Sequence, residues 1–195
     1  MEETDFYDHA HSKNPLIRYL VRGYFDMMDR MLKDIEVPSV LDIGCGSGYV
    51  TNHINELLKP QEILGVDISP ERLELARARY PSLNVMRFDA LNMPLKDSSA
   101  SLVVATQILE HIENSANFVG VLKRISSRYV FLSVPNAFLW RLGNIVRGKY
   151  WRALGNPPGH IKDWNKKKLY ELLSLFFNKV EIRRHYIWLL ALCEK

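Results

Sequence analysis

Short apolar runs and segments of helical period alternate five times along this chain, and few architectures accommodate that order. SVLDIG, EILGVDIS, NVMRFDA, SLVVAT and RYVFLSVPN read as strands. Residues 49–58 and a segment starting at Ser69-Pro70-Glu71 read as helices, as does a region in which Phe118, Val119, Leu122 and Ile125 share one face. Such alternation favours a parallel sheet with helices on both faces. Strands buried on both sides should be apolar throughout, and LVVA and YVFLSV are. Before the first strand, Leu16, Leu20, Val21, Tyr24, Phe25, Met28 and Met31 recur at helical spacing behind Asn14-Pro15, a capping amide followed by a first-turn proline. That pattern predicts an N-terminal helix over about 15–33. Asn165 can cap a helix over KKKLYELLSLFF, with Asn178 as its left-handed terminator. VEIRRHYI and WLLALCEK follow with no room for a helix between them, so they should pair antiparallel. The expected fold is α/β: a Rossmann-like doubly wound sheet of about seven strands. One domain over 1–195 suits a chain of this length.

At 47% hydrophobic and 25% charged residues, the chain can build a core without cross-links. Its two cysteines, Cys45 and Cys193, have no metal-ligand spacing, and no metal site is expected. The acidic start MEETDFYDHA lacks the chemistry of a secretory signal, and no apolar run is long enough to span a bilayer. A cytoplasmic location is the expectation. Charge is unevenly spread. Residues 123–168 hold eleven basic residues and one acid, Asp163, whereas the remainder holds 15 basic and 21 acidic residues. A basic stretch of this kind serves an anionic substrate, a membrane surface or a nucleic acid, or is a solvated face.

The densest chemistry lies at LDIGCGSG, where the first strand meets the following helix. Glycines there allow a ligand to approach the backbone. In an open parallel sheet, ligands sit beyond the carboxyl ends of the strands. Asp42 precedes the turn, and Asp67 and Asp89 end the second and third strands. A carboxylate like Asp67 can accept two hydrogen bonds from vicinal ribose hydroxyls. A simple tight bend is the alternative for the turn alone. Gly44, Gly46 and Gly48 give G-x-G-x-G with Tyr49 in place of a third dinucleotide-type glycine, and no Gly-Lys-Ser/Thr ending is present. Asp42 disfavours a pyrophosphate and favours an ammonium. Together these features suit S-adenosylmethionine, which carries an ammonium and a sulfonium but no phosphate.

With these residues in place, the sequence resembles a class I S-adenosylmethionine-dependent methyltransferase of the broad small-molecule type. The likeness is strong over residues 39–116, through LDIGCGSG, GVDIS, RFDA and ASLVVATQILEHIEN, and looser through SVPN and GHIKDW. The resemblance implies a seven-stranded sheet whose last strand is antiparallel. It implies that Asp42 with the backbone of Gly44 and Gly46 holds the methionine moiety, and that Asp67 binds the ribose with Ile68 against the adenine. It further implies that Asp89 and the Ala90 backbone read the adenine edge, and that Thr106 and Gln107 contact the methionine end.

The methyl acceptor is less legible. His160, in NPPGHIKDW, and His111, in LEHI, lie where acceptors bind in this fold and are candidate bases; each could instead be a structural hydrogen bonder. NPPG reads as a turn, not as the Asn-Pro-Pro-aromatic box of amino-group DNA methyltransferases. Residues 136–164 could form a substrate lid. Within them, 137–154 carries Phe138, Trp140, Tyr150 and Trp151 with four basic residues and no acid, which suits a lipid-like acceptor and peripheral membrane contact, or packing on the sheet edge. Tyr7 is a further possible cofactor contact. The expected function is methyl transfer to a small-molecule or lipid-like acceptor. The alternatives are an RNA methyltransferase, which the basic stretch motivates but no RNA-binding domain supports, and a non-catalytic S-adenosylmethionine-binding module.

Overall fold

A computed structural model describes residues 6–89, 95–136 and 162–195. Seven strands form one sheet: β1 (Ser39–Ile43), β2 (Glu62–Asp67), β3 (Asn84–Arg87), β4 (Ala100–Thr106), β5 (Ser126–Pro135), β6 (Lys179–His185) and β7 (Trp188–Glu194). Their order is β3-β2-β1-β4-β5-β7-β6. Pairing is parallel from β3 to β5, while β7 runs antiparallel to both β5 and β6. The fold is therefore the doubly wound α/β sheet with an antiparallel last strand that the strand–helix alternation predicts. A tight hairpin joins β6 to β7, with Tyr186 left-handed at φ 44.

The described helices are α1 (Phe6–Ala10), α2 (Pro15–Leu32), α3 (Tyr49–Leu58), α4 (Pro70–Arg79), α5 (Ser115–Ile125) and α6 (Lys166–Ser174). Their starts follow the capping chemistry of the sequence. Asn14 accepts from the Leu16 N–H, Ser69 from Arg72 and Asn165 from Lys168. Pro15 and Pro70 occupy first-turn positions where no backbone donor is needed.

Alternate residues along each strand feed two cores. Leu41, Val103, Ala105, Val130 and Leu132 pack under α5 and α6 with Phe118, Leu122, Leu169 and Leu173. Val40, Leu102, Val104, Phe131 and Leu190 pack under α2 and α3 with Tyr24, Met28 and Ile54. Asp42 and Ser133 fall in phase with this second set, so they point toward α2 and α3.

Two expectations are corrected. The third strand stops at Arg87, so Phe88 and Asp89 follow it instead of ending it. Asn178 is not left-handed. The last helix ends at Ser174 with Leu175 still in right-handed geometry, so no αL cap is needed there. The expected helical face of Phe118, Val119, Leu122 and Ile125 lies on α5, which starts at Ser115 after a 3₁₀ turn at Leu109–His111. One element goes unannounced by the sequence: α1 is too short for helical periodicity to reveal, and tertiary contacts hold it. Phe6 stacks on Tyr24 at 4.5 Å and meets Phe25 and Trp188 at 5.6 and 5.9 Å.

Candidate functional site

The strand order reverses between β1 and β4, which part company at their carboxyl ends. The glycine turn fills that point. Its start is tied to β2 by hydrogen bonds from the Gly44 and Cys45 N–H groups to the Val66 carbonyl, at 2.6 and 3.0 Å. Gly44 is required twice over. Its φ is +72°, a conformation that costs a side chain energy, and a Cβ there would collide with the end of Ile108. Gly46 and Gly48 are also left-handed, at +54° and +81°.

Asp67, 8% exposed, locks this turn. Its Oδ2 accepts from the Gly46 N–H and its Oδ1 from the Ser69 N–H, both at 2.9 Å. One carboxylate thus sets the approach of the turn and the start of α4. A carboxylate offers about four acceptor positions, so two remain for vicinal hydroxyls. Beside it, Ile68 is 62% exposed, an apolar face in contact with solvent at the mouth of the site.

Asp42 has a different environment. It is wholly buried, and its Oδ2 accepts from the Thr51 hydroxyl at 2.6 Å. Its Oδ1 is buried without a hydrogen-bond partner. Burial pushes its carboxyl up to about 7; the Thr51 hydrogen bond lowers it, and the neighbouring Asp67 charge raises it further. Cys45 is buried beside it, and burial, followed by the Asp42 and Asp67 charges, pushes its thiol far up.

At the end of β4, Thr106 is buried and Gln107 is left-handed at φ 55. The Gln107 N–H donates to the Ser133 carbonyl and its Nε2 to the Ser133 hydroxyl, both at 2.9 Å. Ser133 also shares a 2.8 Å hydrogen bond with the Tyr24 hydroxyl. Asp42, Gly44, Gly46, Asp67, Ile68, Thr106 and Gln107 therefore converge on one edge of the sheet. Asp89 is exposed just beyond β3. His111 lies on the 3₁₀ turn near this edge and not on a helix face. Ala90, His160 and the 137–154 segment, with most of the expected lid, lie outside the described residues. Tyr7 stacks on His11 at 4.2 Å and lies 3.6 Å beneath the Arg79 guanidinium, so its ring is occupied within the protein.

Sequence reasoning missed Thr51, Tyr24, Ser133 and Glu110 as parts of this region. Ser133 left a signal, as the one polar residue inside the apolar run YVFLSV. Glu110, 1% exposed, left a weaker one as a carboxylate amid ILEHI.

A family model for a methyltransferase domain matches residues 41–129. A probable S-adenosylmethionine-dependent methyltransferase of Mycolicibacterium smegmatis is 31% identical over 73% of this chain and 52% of its own length. The phthiotriol/phenolphthiotriol dimycocerosates methyltransferase 1 of Mycobacterium ulcerans is 25% identical over 53% of this chain and 40% of its own. The chain thus spans about half the length, or less, of these relatives. A crystal structure of an S-adenosylmethionine-dependent methyltransferase from Archaeoglobus fulgidus superposes with a TM-score of 0.69 at 19% identity, covering 91% of this chain and 94% of that one. The sheet order, the glycine turn and these likenesses together define the class: this chain belongs to the class I S-adenosylmethionine-dependent methyltransferases.

Proposed function

We propose that the chain transfers a methyl group from S-adenosylmethionine to a small-molecule or lipid-like acceptor, as a single methyltransferase domain. The observation that carries the cofactor assignment is the Asp42 Oδ1 atom, buried without a protein donor at the end of the strand that enters the glycine turn. A buried acceptor in that state is costly unless a donor arrives, and a cationic ligand without phosphate is the complement.

In this reading, Asp42 and the turn backbone at Gly44 and Gly46 hold the methionine end, with Thr106 and Gln107 completing its surroundings. Asp67 takes the ribose hydroxyls on its remaining lone pairs, and Ile68 covers one face of the adenine. Asp89 and Ala90 face the adenine edge. The cofactor supplies a methyl group already activated by its sulfonium. The protein's part is orientation and exclusion of water. An alcohol or acid acceptor gains from a base, and among the described residues His111 is the imidazole on the rim beyond β4. The relative named for dimycocerosates supports a lipid-like acceptor. Any membrane contact in this reading is peripheral, through residues 137–154; among the described residues, no helix is long and apolar enough to cross a membrane.

The test is transfer from methyl-labelled S-adenosylmethionine to pools of organic-extractable metabolites, water-soluble metabolites and RNA. Label in either metabolite pool supports the proposal. Label in RNA alone, or tight cofactor binding with no label transferred to any pool, refutes it and favours an RNA methyltransferase or a non-catalytic module respectively.

A further inference from the structure

We propose that Tyr24 is a positioning residue for the amino-acid end of the cofactor, acting through Ser133 on the amide of Gln107. This inference rests on the cofactor reading above.

Three elements distant in sequence meet here. Tyr24 lies in the middle of α2, Ser133 near the end of β5 and Gln107 just past β4. Tyr24 and Ser133 are both 0% exposed. Their hydroxyls share a 2.8 Å hydrogen bond, and the Gln107 Nε2 donates to the same Ser133 oxygen at 2.9 Å. The Gln107 backbone N–H is held by the Ser133 carbonyl as well. One strand residue therefore grips Gln107 at both its backbone and its side chain, and Tyr24 buttresses that residue from behind.

Packing alone does not call for this chain of polar groups. The ring of Tyr24 is already held by Phe6 at 4.5 Å and by Phe25 and Trp188, each at 5.2 Å. A phenylalanine would keep all three contacts. The flanking in-phase residue of β5, Phe131, is apolar and fully buried. Buried hydroxyls cost free energy unless each is hydrogen-bonded, so an apolar pair would serve the core better. Gln107 adds to the cost, since its left-handed backbone, at φ 55, is a conformation that residues other than glycine disfavour. What the chain of bonds achieves is a fixed amide at the carboxyl edge of the sheet. With Nε2 committed to Ser133, the carbonyl oxygen Oε1 is left for a donor ligand, and an ammonium is such a donor. Without the phenol, the Ser133 hydroxyl is free to rotate and to donate to Oε1, which turns the amide over and presents N–H groups where a cation binds.

The experiment compares two ligands by calorimetry. S-adenosylhomocysteine carries the amino-acid end; 5′-methylthioadenosine keeps the adenosine and the sulfur without it. Tyr24→Phe and Ser133→Ala should each weaken S-adenosylhomocysteine about three- to tenfold. The double variant should lose no more than the weaker-binding single one, because both break the same chain. Affinity for 5′-methylthioadenosine should stay unchanged in all three. Tyr19→Phe, which removes an exposed 3.3 Å bond to Tyr186, should leave both ligands unaffected. The inference is overturned if Tyr24→Phe binds S-adenosylhomocysteine as tightly as the wild type does. It is equally overturned if both ligands weaken alike, the mark of a general loosening, or if the two single effects add. Should Tyr24→Phe fail to fold, the ligand comparison on Ser133→Ala decides. Wild-type protein that binds neither ligand refutes the cofactor reading and this inference with it.

Discussion

Replacing Asp42 by asparagine should make the cofactor-free protein gain stability relative to wild type as pH rises, while abolishing cofactor binding. Asp42 is fully buried with one oxygen unpartnered, and burial lifts its carboxyl from 3.8 to about 7. A raised acid binds its proton more tightly in the folded chain than in the unfolded one. Its contribution is then complete below the unfolded value and is lost as pH rises through the folded value. At 1.36 kcal/mol per unit, integration gives a penalty of about 2 kcal/mol at pH 5 and about 4 kcal/mol at pH 8. The asparagine side chain does not titrate. The stability of Asp42→Asn relative to wild type should therefore rise by about 2–3 kcal/mol between pH 5 and pH 8, roughly 5–10 °C in melting temperature for a chain of this size. Any fixed cost of the new amide cancels in that comparison, as do groups that titrate alike in both proteins. Urea unfolding of both proteins at the two pH values measures it. A difference that stays flat with pH would refute the assignment of a strained carboxylate, and one that falls would reverse its sign.

Two further substitutions probe the turn. Gly44→Ala forces a Cβ into left-handed geometry against Ile108, and should cost about 2–4 kcal/mol in urea unfolding and remove binding of S-adenosylhomocysteine. Asp67→Ala leaves the Gly46 and Ser69 N–H groups without their shared acceptor. It should weaken S-adenosylhomocysteine at least about tenfold, with a smaller loss in Asp67→Asn, which keeps one carbonyl oxygen. Calorimetry on both variants checks this.

The sheet and its helices were legible because local signals and the global fold agree. Asn14-Pro15, Ser69-Pro70 and Asn165 mark helix starts by hydrogen-bonding chemistry that operates within four residues. LVVA and YVFLSV mark strands buried on both faces. The placement of Gly44 and Asp67 could be read for the same reason, since a strand-to-helix turn needs left-handed glycine and a carboxylate at the tip of the neighbouring strand lies within reach. What could not be read depends on contacts between distant segments. Five residues of α1 carry no usable period and owe their position to Phe6 against Tyr24 and Trp188. The spacing of Phe118, Val119, Leu122 and Ile125 marks α5, but the turn before it carries no such signal: Gln107 is pinned to Ser133 on another strand, and the chain turns before α5 begins. Tyr24 looks like an ordinary core position of an amphipathic helix; only its register against β5 reveals a polar task. Asn178 carries a residue type suited to a left-handed cap, but the helix has already ended at Ser174.

Calorimetric titration of the wild-type protein with S-adenosylhomocysteine, repeated from pH 8 down to pH 6, tests the central claim most directly. Saturable binding at one site per chain is expected, tightest above pH 7. It should weaken as pH falls below about 7, because the ligand's ammonium must displace the Asp42 proton before it can bind. An absence of binding at pH 8, at ligand concentrations far above those of a cell, would contradict the account.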